Sequence, residues 1–374
     1  MHVCLLCTEI FRWGKYGGFG RTARAVGRAL ASRGVRVSAV VPLPRGSRTP
    51  VREEFDGITV LGYPPAATWA SQDLYRQVDA DLYHSIEPFT GTWLAQRAMP
   101  DRAHVVTFQD PRLFRDWWIE FRHPTRARRQ TATTWLYYEN PMVRAAVRRC
   151  HGCSVAATSL SAKAMAKYGL DREPAFLPTP VAIPETVDKA ARPTACFVGR
   201  FDRVKRPQVF FDLAARCPDV DFVALGGAQD ARFERELMDR APLPPNLTLA
   251  GFINQFESDE LNRHLARNWI LVNTSAKEGL PNAFVEAAAH GCAILSAFDP
   301  DGFASRFGHL VTDGDYAAGL AVLLRDDLWR ERGAAGRDHV RRHFAVDLVM
   351  DRYLDFYAAA LARAGRGSVR AGAM

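Results

Sequence analysis

The chain has 374 residues, of which 48% are hydrophobic and 24% charged, with a formal net charge of +8. This length allows two α/β domains with full cores, and the composition is ordinary for a globular protein. The longest apolar runs are too short for a membrane span, and the first residues lack the basic leader of a signal peptide. The seven cysteines are irregularly spaced, which indicates reduced thiols. We therefore expect a cytoplasmic protein.

The positive charge lies in the first half of the chain. Residues 1–185 carry 25 Lys and Arg against 16 Asp and Glu, a net charge of +9, whereas residues 186–374 carry 24 against 25, a net charge of −1. This asymmetry predicts an anionic partner for the first half only.

A glycine-rich turn follows the first predicted strand. Residues 2–7 form a short apolar run, Gly17 and Gly18 follow it, and a helical pattern comes next. Backbone amides in such a turn can approach a phosphate, but the spacing matches neither a Walker loop nor the dinucleotide fingerprint. Phosphate contact and a plain tight turn therefore stay open as alternatives.

Two Cys-x-x-Cys pairs resemble half of a metal site. Cys4 and Cys7 lie in the first strand, and Cys150 and Cys153 lie at a helix-to-strand junction. Because neither pair has a partner pair at zinc-site spacing, we interpret them as core cysteines and predict no metal site.

Later strands are predicted at 35–41, 82–85 and 104–108, with helical segments between them. This alternation predicts a doubly wound, mostly parallel sheet, in which ligands bind at the carboxyl ends of the strands. His84 and the Gln109-Asp110 pair occupy such positions.

Residues 112–149 are basic and aromatic. They contain nine arginines and three acids, interleaved with tryptophan, tyrosine and phenylalanine. Such a stretch suits an anionic membrane surface or a lipid-linked acceptor, or a helix pair with core aromatics and solvated arginines. It is a weaker candidate for nucleic acid, which we do not expect as a partner.

The second half restarts the strand pattern after a proline-rich linker at 174–193. Gly199, Arg200 and Lys205 follow its first strand, so two cations lie at the ligand edge, where they suit a diphosphate. Near residue 280 a polar loop carries Glu278, Pro281 suits a first helical position, and Glu286 falls on the second helical turn. Carboxylates of this kind can bind sugar hydroxyls, and the helix start can bind an anion.

These motifs resemble one known family. The stretch Glu278-Gly-Leu-Pro-Asn-Ala-Phe-Val-Glu286 looks like the Glu-x7-Glu motif of the family-4 retaining glycosyltransferases, which have the GT-B fold. The Gly17-Gly18 pair and the Gly199-Arg200-x4-Lys205 spacing precede it in the family's order, and the resemblance covers about residues 1–360.

The resemblance implies an α/β chain with two Rossmann-like domains that face a central cleft. We expect an acceptor-side domain at 1–185, a nucleotide-sugar domain at 190–345, a helix at 346–362 that crosses back to the first domain, and a disordered tail at 363–374.

The resemblance also implies roles for single residues. Glu278 would bind hydroxyls of the transferred sugar and Glu286 the ribose, while Arg200 and Lys205 would stabilise the leaving diphosphate without a metal ion or other cofactor. Gln109 stands where relatives often have a histidine that touches the donor sugar; glutamine can still bond a hydroxyl but cannot take a proton. The remaining expected donor contacts are Gly17, Gly18, Gly199, Phe252, Leu280, Pro281 and Asn282.

The predicted activity is therefore retaining transfer of a sugar from a nucleotide-diphosphate donor to a glycan, lipid-linked or small-molecule acceptor. We expect a cytoplasmic enzyme, peripheral on the inner face of the membrane if residues 112–149 bind anionic lipid. The alternatives are an epimerase or phosphorylase on the same fold, and a non-catalytic partner subunit. Release of free sugar without acceptor would favour the epimerase, whereas the retained Arg200, Lys205 and glutamates argue against a dead site.

Overall fold

The computed structural model describes residues 1–13, 16–44, 51–122, 128–239 and 242–371. The chain forms two compact units. The first unit comprises Met1–Leu113, Ala132–Pro180 and Val346–Met374, and the second comprises Phe114–Thr131 and Val181–Ala345.

The strands of the first unit form one sheet. They are β1 (His2–Leu6), β2 (Arg36–Pro42), β3 (Arg52–Phe55), β4 (Ile58–Tyr63), β5 (Leu82–Ser85), β6 (Ala103–Phe108), β7 (Gly152–Val155) and β8 (Ala175–Phe176). Over the described residues the sheet has eight strands in the order β3-β4-β2-β1-β5-β6-β7-β8. β3 is antiparallel to β4, and the other neighbours are parallel.

The strands of the second unit form a parallel sheet. They are β9 (Thr194–Val198), β10 (Asp221–Leu225), β11 (Leu247–Gly251), β12 (Ile270–Asn273), β13 (Ala293–Ser296) and β14 (Gly308–Leu310). The described part of this unit places them in the order β11-β10-β9-β12-β13-β14. The two sheets, the first mostly and the second wholly parallel, agree with the predicted fold class.

Helices connect most of these strands. In chain order they are α1 (Gly18–Ala31), α2 (Ser71–Val78), α3 (Thr90–Ala98), α4 (Phe114–Arg122), α5 (Arg128–Tyr138), α6 (Pro141–Arg148), α7 (Ser161–Tyr168), α8 (Pro207–Arg216), α9 (Ala231–Met238), α10 (Glu260–Arg267), α11 (Asn282–Ala289), α12 (Phe303–Phe307), α13 (Tyr316–Leu324), α14 (Leu328–His343) and α15 (Val346–Ala371).

The central strands are apolar because both of their faces are covered. All five residues of β1 are buried, and β1 pairs with β2 on one side and β5 on the other. A continuous apolar run is the pattern of a parallel strand that is covered by helices on both faces. Cys4 and Cys7 are buried free thiols in this core, as predicted, whereas Cys150 and Cys153 are half-buried free thiols.

The hairpin of β3 and β4 was not predicted from the sequence. Its turn is Asp56-Gly57, and both residues have positive φ, 52° and 74°. An Asp-Gly pair between two short strands is the usual signal for a tight hairpin turn, and it was present in the sequence.

The carboxyl-terminal helix belongs to the first unit. Val349, Tyr353 and Tyr357 of α15 lie fully buried in the core of that unit. α15 is longer than the predicted 346–362, since it continues to Ala371, into the part for which a disordered tail was expected.

Two other boundaries differ from the sequence-based ones. Residues 114–131, expected in the first domain, belong to the second unit, so the division falls inside α5. The predicted linker at 174–193 also divides, at Pro180: β8 precedes that point in the first unit, and Val181 donates its N–H to the Phe344 carbonyl of the second.

Candidate active site

Two loops meet at the carboxyl edge of the second sheet. One follows β9 and carries Gly199 to Arg206, and the other follows β12, the neighbour of β9 in the sheet. The hydroxyl of Thr274 donates to the carbonyls of Lys205 (2.8 Å) and Arg206 (2.9 Å), and the Ala276 N–H donates to the Val204 carbonyl (2.7 Å). These bonds join the two loops.

Glu278 and Lys205 form the centre of this arrangement. The Lys205 Nζ lies 2.5 Å from the Glu278 Oε1. The same oxygen accepts bonds from the Ser275 hydroxyl (2.5 Å) and the Asn273 side-chain amide (3.0 Å). The Glu278 side chain is 8% exposed. Three donors on one oxygen fix the carboxylate, because charge-assisted bonds are the stronger kind.

Arg200 is the more accessible of the two predicted cations. Its side chain is 41% exposed and its Nη2 lies 3.3 Å from the Asp202 Oδ2. The other oxygen of Asp202 accepts the N–H groups of Val204 (3.0 Å) and Lys205 (2.9 Å). Asp202 therefore organises the turn that presents both Arg200 and Lys205.

The backbone of Gly199 lies very close to the backbone of Gly226. A Cβ added to Gly226, whose φ is 151°, would lie 1.8 Å from the Gly199 carbonyl oxygen. Only glycine fits at position 226 while the loop after β9 keeps this path.

α11 begins at Asn282, one residue later than predicted, because Pro281 keeps an extended ψ of 130° and forms the N-cap. Glu286 is on the second turn, as predicted, and accepts a long bond from the Gln255 side-chain amide (3.5 Å). Leu280, Pro281 and Asn282 are half-buried at the helix start.

Phe252 follows β11 directly and is 53% exposed. The preceding Gly251 has a φ of 76°, which turns the chain at the end of the strand. The aromatic ring is thus presented at the carboxyl edge of the second sheet.

The first unit holds the other predicted donor contacts. Gly17 is the N-cap of α1 and Gly18 its first residue. The Glu9 carboxylate accepts the Gly20 N–H (3.1 Å), and a Cβ added to Gly17 would lie 2.1 Å from the Glu9 Oε1. An acidic group therefore already lies at the helix start for which a phosphate contact was proposed.

Gln109 follows β6 directly and is half-buried. Its N–H donates to the Glu87 Oε2 (2.7 Å). His84, which the sequence placed at a ligand position, is instead fully buried: its two ring nitrogens lie 2.8 Å from the Tyr357 hydroxyl and 2.7 Å from the Thr107 hydroxyl. Burial lowers the pKa of His84 to about 3, so the ring is neutral and structural.

The sequence did not identify the polar residues that hold the predicted ones. In the second unit, Glu278 accepts bonds from Asn273 and Ser275, and Asp202 accepts the Lys205 N–H. In the first unit, Glu9 accepts the Gly20 N–H and Glu87 accepts the Gln109 N–H. Most of them follow a strand closely, which is the signal that could have identified them.

The basic stretch at 112–149 is divided between the units, apart from residues 123–127, which lie outside the described residues. α4, in the second unit, exposes 82% of Phe114 and 53% of Trp118 and buries Trp117. Its Glu120 Oε1 lies 3.4 Å from the Nζ of buried Lys277, the residue before Glu278. In the first unit, α5 and α6 expose Leu136 (57%) and Met142 (36%).

The described residues lack two features, a metal-ligand cluster and a membrane-spanning helix. Within them, His, Cys, Asp and Glu side chains form no group of three or more with the arrangement of a metal site. Within the same ranges, every helix is too short or too polar to cross a membrane.

The chain matches the models of two known glycosyltransferase families. Residues 16–182 match the model of glycosyltransferase family 4, and residues 192–326 match that of the glycosyl transferases group 1. A comparison with curated protein sequences found no significant match.

Among solved structures, sucrose-phosphate synthase from Thermosynechococcus elongatus is 17% identical, with a TM-score of 0.72 over 96% of this chain and 99% of that one. HepE from Anabaena, solved in complex with UDP and glucose, is 14% identical, with a TM-score of 0.69 over 95% and 99%. The catalytic domain of starch synthase IV from Arabidopsis thaliana, bound to ADP and acarbose, is 12% identical, with a TM-score of 0.61 over 96% and 99%. These likenesses confirm the GT-B fold.

Proposed function

Because the chain belongs to the family-4 glycosyltransferases with a nucleotide-sugar donor, we propose that it is a retaining enzyme and that its donor site requires no metal ion or other cofactor. The observation that carries the proposal is the Lys205–Glu278 pair at 2.5 Å, on two loops joined at the carboxyl edge of the second sheet. A cation and a fixed carboxylate side by side suit a diphosphate that leaves and the hydroxylated sugar attached to it.

Cleavage of the sugar–phosphate bond develops negative charge on the leaving diphosphate, and the enzyme must stabilise this charge. Arg200, at 41% exposure, and Lys205, at 26%, supply positive charge, and the first amides of α11 supply partial positive charge. Preorganised groups of this kind stabilise a transition state without reorganising during the reaction. The departing phosphate oxygen then assists deprotonation of the acceptor hydroxyl on the same face of the sugar.

The rest of the nucleotide sugar uses the predicted contacts of the second unit. Glu278 binds hydroxyls of the transferred sugar, Glu286 binds the ribose, and the exposed ring of Phe252 packs against the base. Gly199, Leu280, Pro281 and Asn282 line the path of the diphosphate.

In the first unit, we propose that the amides of Gly17 and Gly18 contact the diphosphate and that the Gln109 side chain bonds a sugar hydroxyl. Because Glu9 already accepts the Gly20 N–H, phosphate contact at α1 requires the Glu9 carboxylate to turn away. Replacement of Glu9 by glutamine should therefore lower the donor KM, whereas an unchanged donor KM would count against contact at these glycines.

The reaction is tested by NMR with UDP-, GDP- and ADP-sugars and a panel of glycan acceptors. We expect an α-linked product from an α-linked donor, with unchanged rate in excess EDTA. A product of inverted configuration would contradict the retaining mechanism. Loss of activity in EDTA, with rescue by Mn²⁺ or Mg²⁺, would contradict the metal-free site. Acceptor-independent conversion or release of the sugar would favour an epimerase.

For the acceptor, we propose a lipid-linked molecule at an anionic membrane surface. α4 exposes Phe114 and Trp118 beside Arg115 and Arg122, the arrangement of an interfacial helix. Each basic residue near an anionic surface contributes about 1 kcal/mol, so attachment should be reversible and sensitive to salt. Cosedimentation with anionic liposomes at low salt is expected, and equal, negligible binding to anionic and neutral liposomes would indicate a soluble acceptor instead.

A further inference from the structure

A buried carboxylate lies beneath the turn that carries Gln109. Glu87 follows β5 by two residues and is only 5% exposed. Its Oε2 accepts the backbone N–H of Gln109 (2.7 Å) and that of Asp110 (3.2 Å). β5 and β6 are neighbours in the sheet, so one side chain bridges the carboxyl ends of two adjacent strands.

These bonds fix the first two residues beyond β6. A carboxylate that accepts two N–H groups makes charge-assisted bonds, and it restricts the backbone more than solvent would. The Gln109 side chain is uncharged, and it is attached directly to this fixed backbone. The direction in which its amide points therefore depends on how firmly the turn is held.

Charged and titratable groups surround Glu87 on three elements. Asp110 and Arg112 belong to the same turn, with the Arg112 Nε 3.2 Å from the Asp110 Oδ2. Lys167 and Tyr168 come from α7, and Tyr138 comes from the end of α5. The Lys167 Nζ is itself paired with the Glu139 Oε1 at 2.5 Å.

For the pKa of Glu87, the effect of burial is larger than the effect of the groups that favour the charged carboxylate. Removal from water raises the pKa of Glu87 to about 7, although the Gln109 amide and the charges of Arg112 and Lys167 oppose this rise. Glu87 therefore changes its protonation state within the ordinary working range of an enzyme.

We propose that Glu87 is a positioning residue, whose carboxylate holds the Gln109–Asp110 turn and thereby sets the affinity for the sugar of the donor. The second half of this statement rests on the proposed contact between Gln109 and the sugar. Protonation weakens Glu87 as a hydrogen-bond acceptor, so the turn loosens and the donor KM rises as the pH falls from 8 to 6.

Hydrogen–deuterium exchange of the full-length protein tests the hold on the turn directly. We expect Glu87→Ala to speed exchange of the Gln109 and Asp110 amides at least tenfold at pH 8. Glu87→Gln, an uncharged acceptor like the protonated acid, should give intermediate protection, close to that of the wild type at pH 6. After correction for intrinsic exchange, wild-type protection should fall from pH 8 to 6 and that of Glu87→Gln should stay constant. The matched control is Asp81→Asn, which removes a carboxylate that accepts the His2 N–H in the same unit. Unchanged exchange in Glu87→Ala would overturn the proposal.

Steady-state kinetics with the best donor and acceptor from the NMR panel test the effect on affinity. Glu87→Ala should raise the donor KM about tenfold, with little change in kcat or acceptor KM, and Glu87→Gln should remove the pH dependence of the donor KM. Faster exchange with an unchanged donor KM would overturn the link to donor affinity. If no nucleotide sugar is used at all, the proposed function fails, and the exchange data still decide whether Glu87 holds the turn.

Discussion

The side chains around Glu278 show how neighbouring residues define one functional group. Lys205, Ser275 and Asn273 all donate to the same carboxylate oxygen, so the second oxygen is directed by bonds on the first. Such support from surrounding side chains is what holds a functional group in a productive geometry.

Replacement of Glu278 by glutamine should lower kcat by about 10²–10³, the scale for loss of one well-placed polar stabiliser. The side chain keeps its size but loses its charge toward Lys205. The measurement is sugar transfer at saturating donor, with Glu331→Gln, at an exposed position of α14, as the matched control. Wild-type turnover in Glu278→Gln would show that the carboxylate has no role in the reaction.

Replacement of Ser275 by alanine should have a smaller effect. It removes one of the three donors to the Glu278 Oε1, and one hydrogen bond contributes a net of about 0.5–1.5 kcal/mol, or roughly two- to tenfold in rate. Steady-state kinetics with Ser305→Ala as control give the comparison. A loss as large as that of Glu278→Gln would mean that Ser275 contacts the substrate itself.

Among the elements, α4 differs most from its sequence-based assignment. It comes between two strands of the first unit but belongs to the second, and its Glu120 contacts Lys277, the residue before Glu278. The exposed face of α4 carries large apolar side chains that the protein interior leaves uncovered, and exposed apolar patches often mark binding surfaces.

The membrane proposal predicts that the double variant Phe114→Ser, Trp118→Ser binds anionic liposomes at least fivefold more weakly than wild type, because it loses the apolar contacts of an interfacial helix. Transfer to a soluble acceptor analogue should be unchanged. Leu243→Ser, which replaces another exposed apolar side chain of the second unit, is the control. Equal liposome binding by all three proteins would exclude α4 as the contact.

For the whole molecule, buried titratable groups couple stability to pH. Burial lowers the pKa of His84 to about 3 and of His104 to about 4, while it raises that of Glu87 to about 7. The histidines stay neutral when folded but bind protons when unfolded below about pH 6.5, so their stabilisation is complete above that pH and is lost as the pH falls. Glu87 has the opposite effect between about pH 4.5 and 7. In this range the folded state binds a proton that the unfolded state does not, so the contribution of Glu87 to stability increases as the pH falls.

Denaturant unfolding between pH 5 and 6.5 should therefore show stability rising with pH. Each group contributes about 1.4 kcal/mol per pH unit when it is fully titrated. Burial also lowers the pKa of His339 to about 4, so the histidines together outweigh the single glutamate and stability rises with pH. Glu87→Gln should steepen the slope, because it removes the opposing group. A flat profile in wild type, or an unchanged slope in the variant, would contradict these protonation states.

The sequence by itself determined the parts of this protein that depend on local pattern and fixed spacing. Short apolar runs located β1, β2, β5, β6 and β9, since a strand covered on both faces must be apolar throughout. The interval from Glu278 to Glu286 placed one acid before α11 and the other on its second turn, because helical periodicity is a local property.

Only the tertiary structure decided which side chains meet across long stretches of chain. Lys205 and Glu278 are 73 residues apart, and they meet because β9 and β12 are neighbours in the sheet. In the same way, the pairing of β5 with β6 brings Glu87 under Gln109, and the return of α15 to the first unit buries His84 against Tyr357. Strand order and helix docking are set by the summed burial of apolar surface over a whole unit, so no local window of sequence contains them.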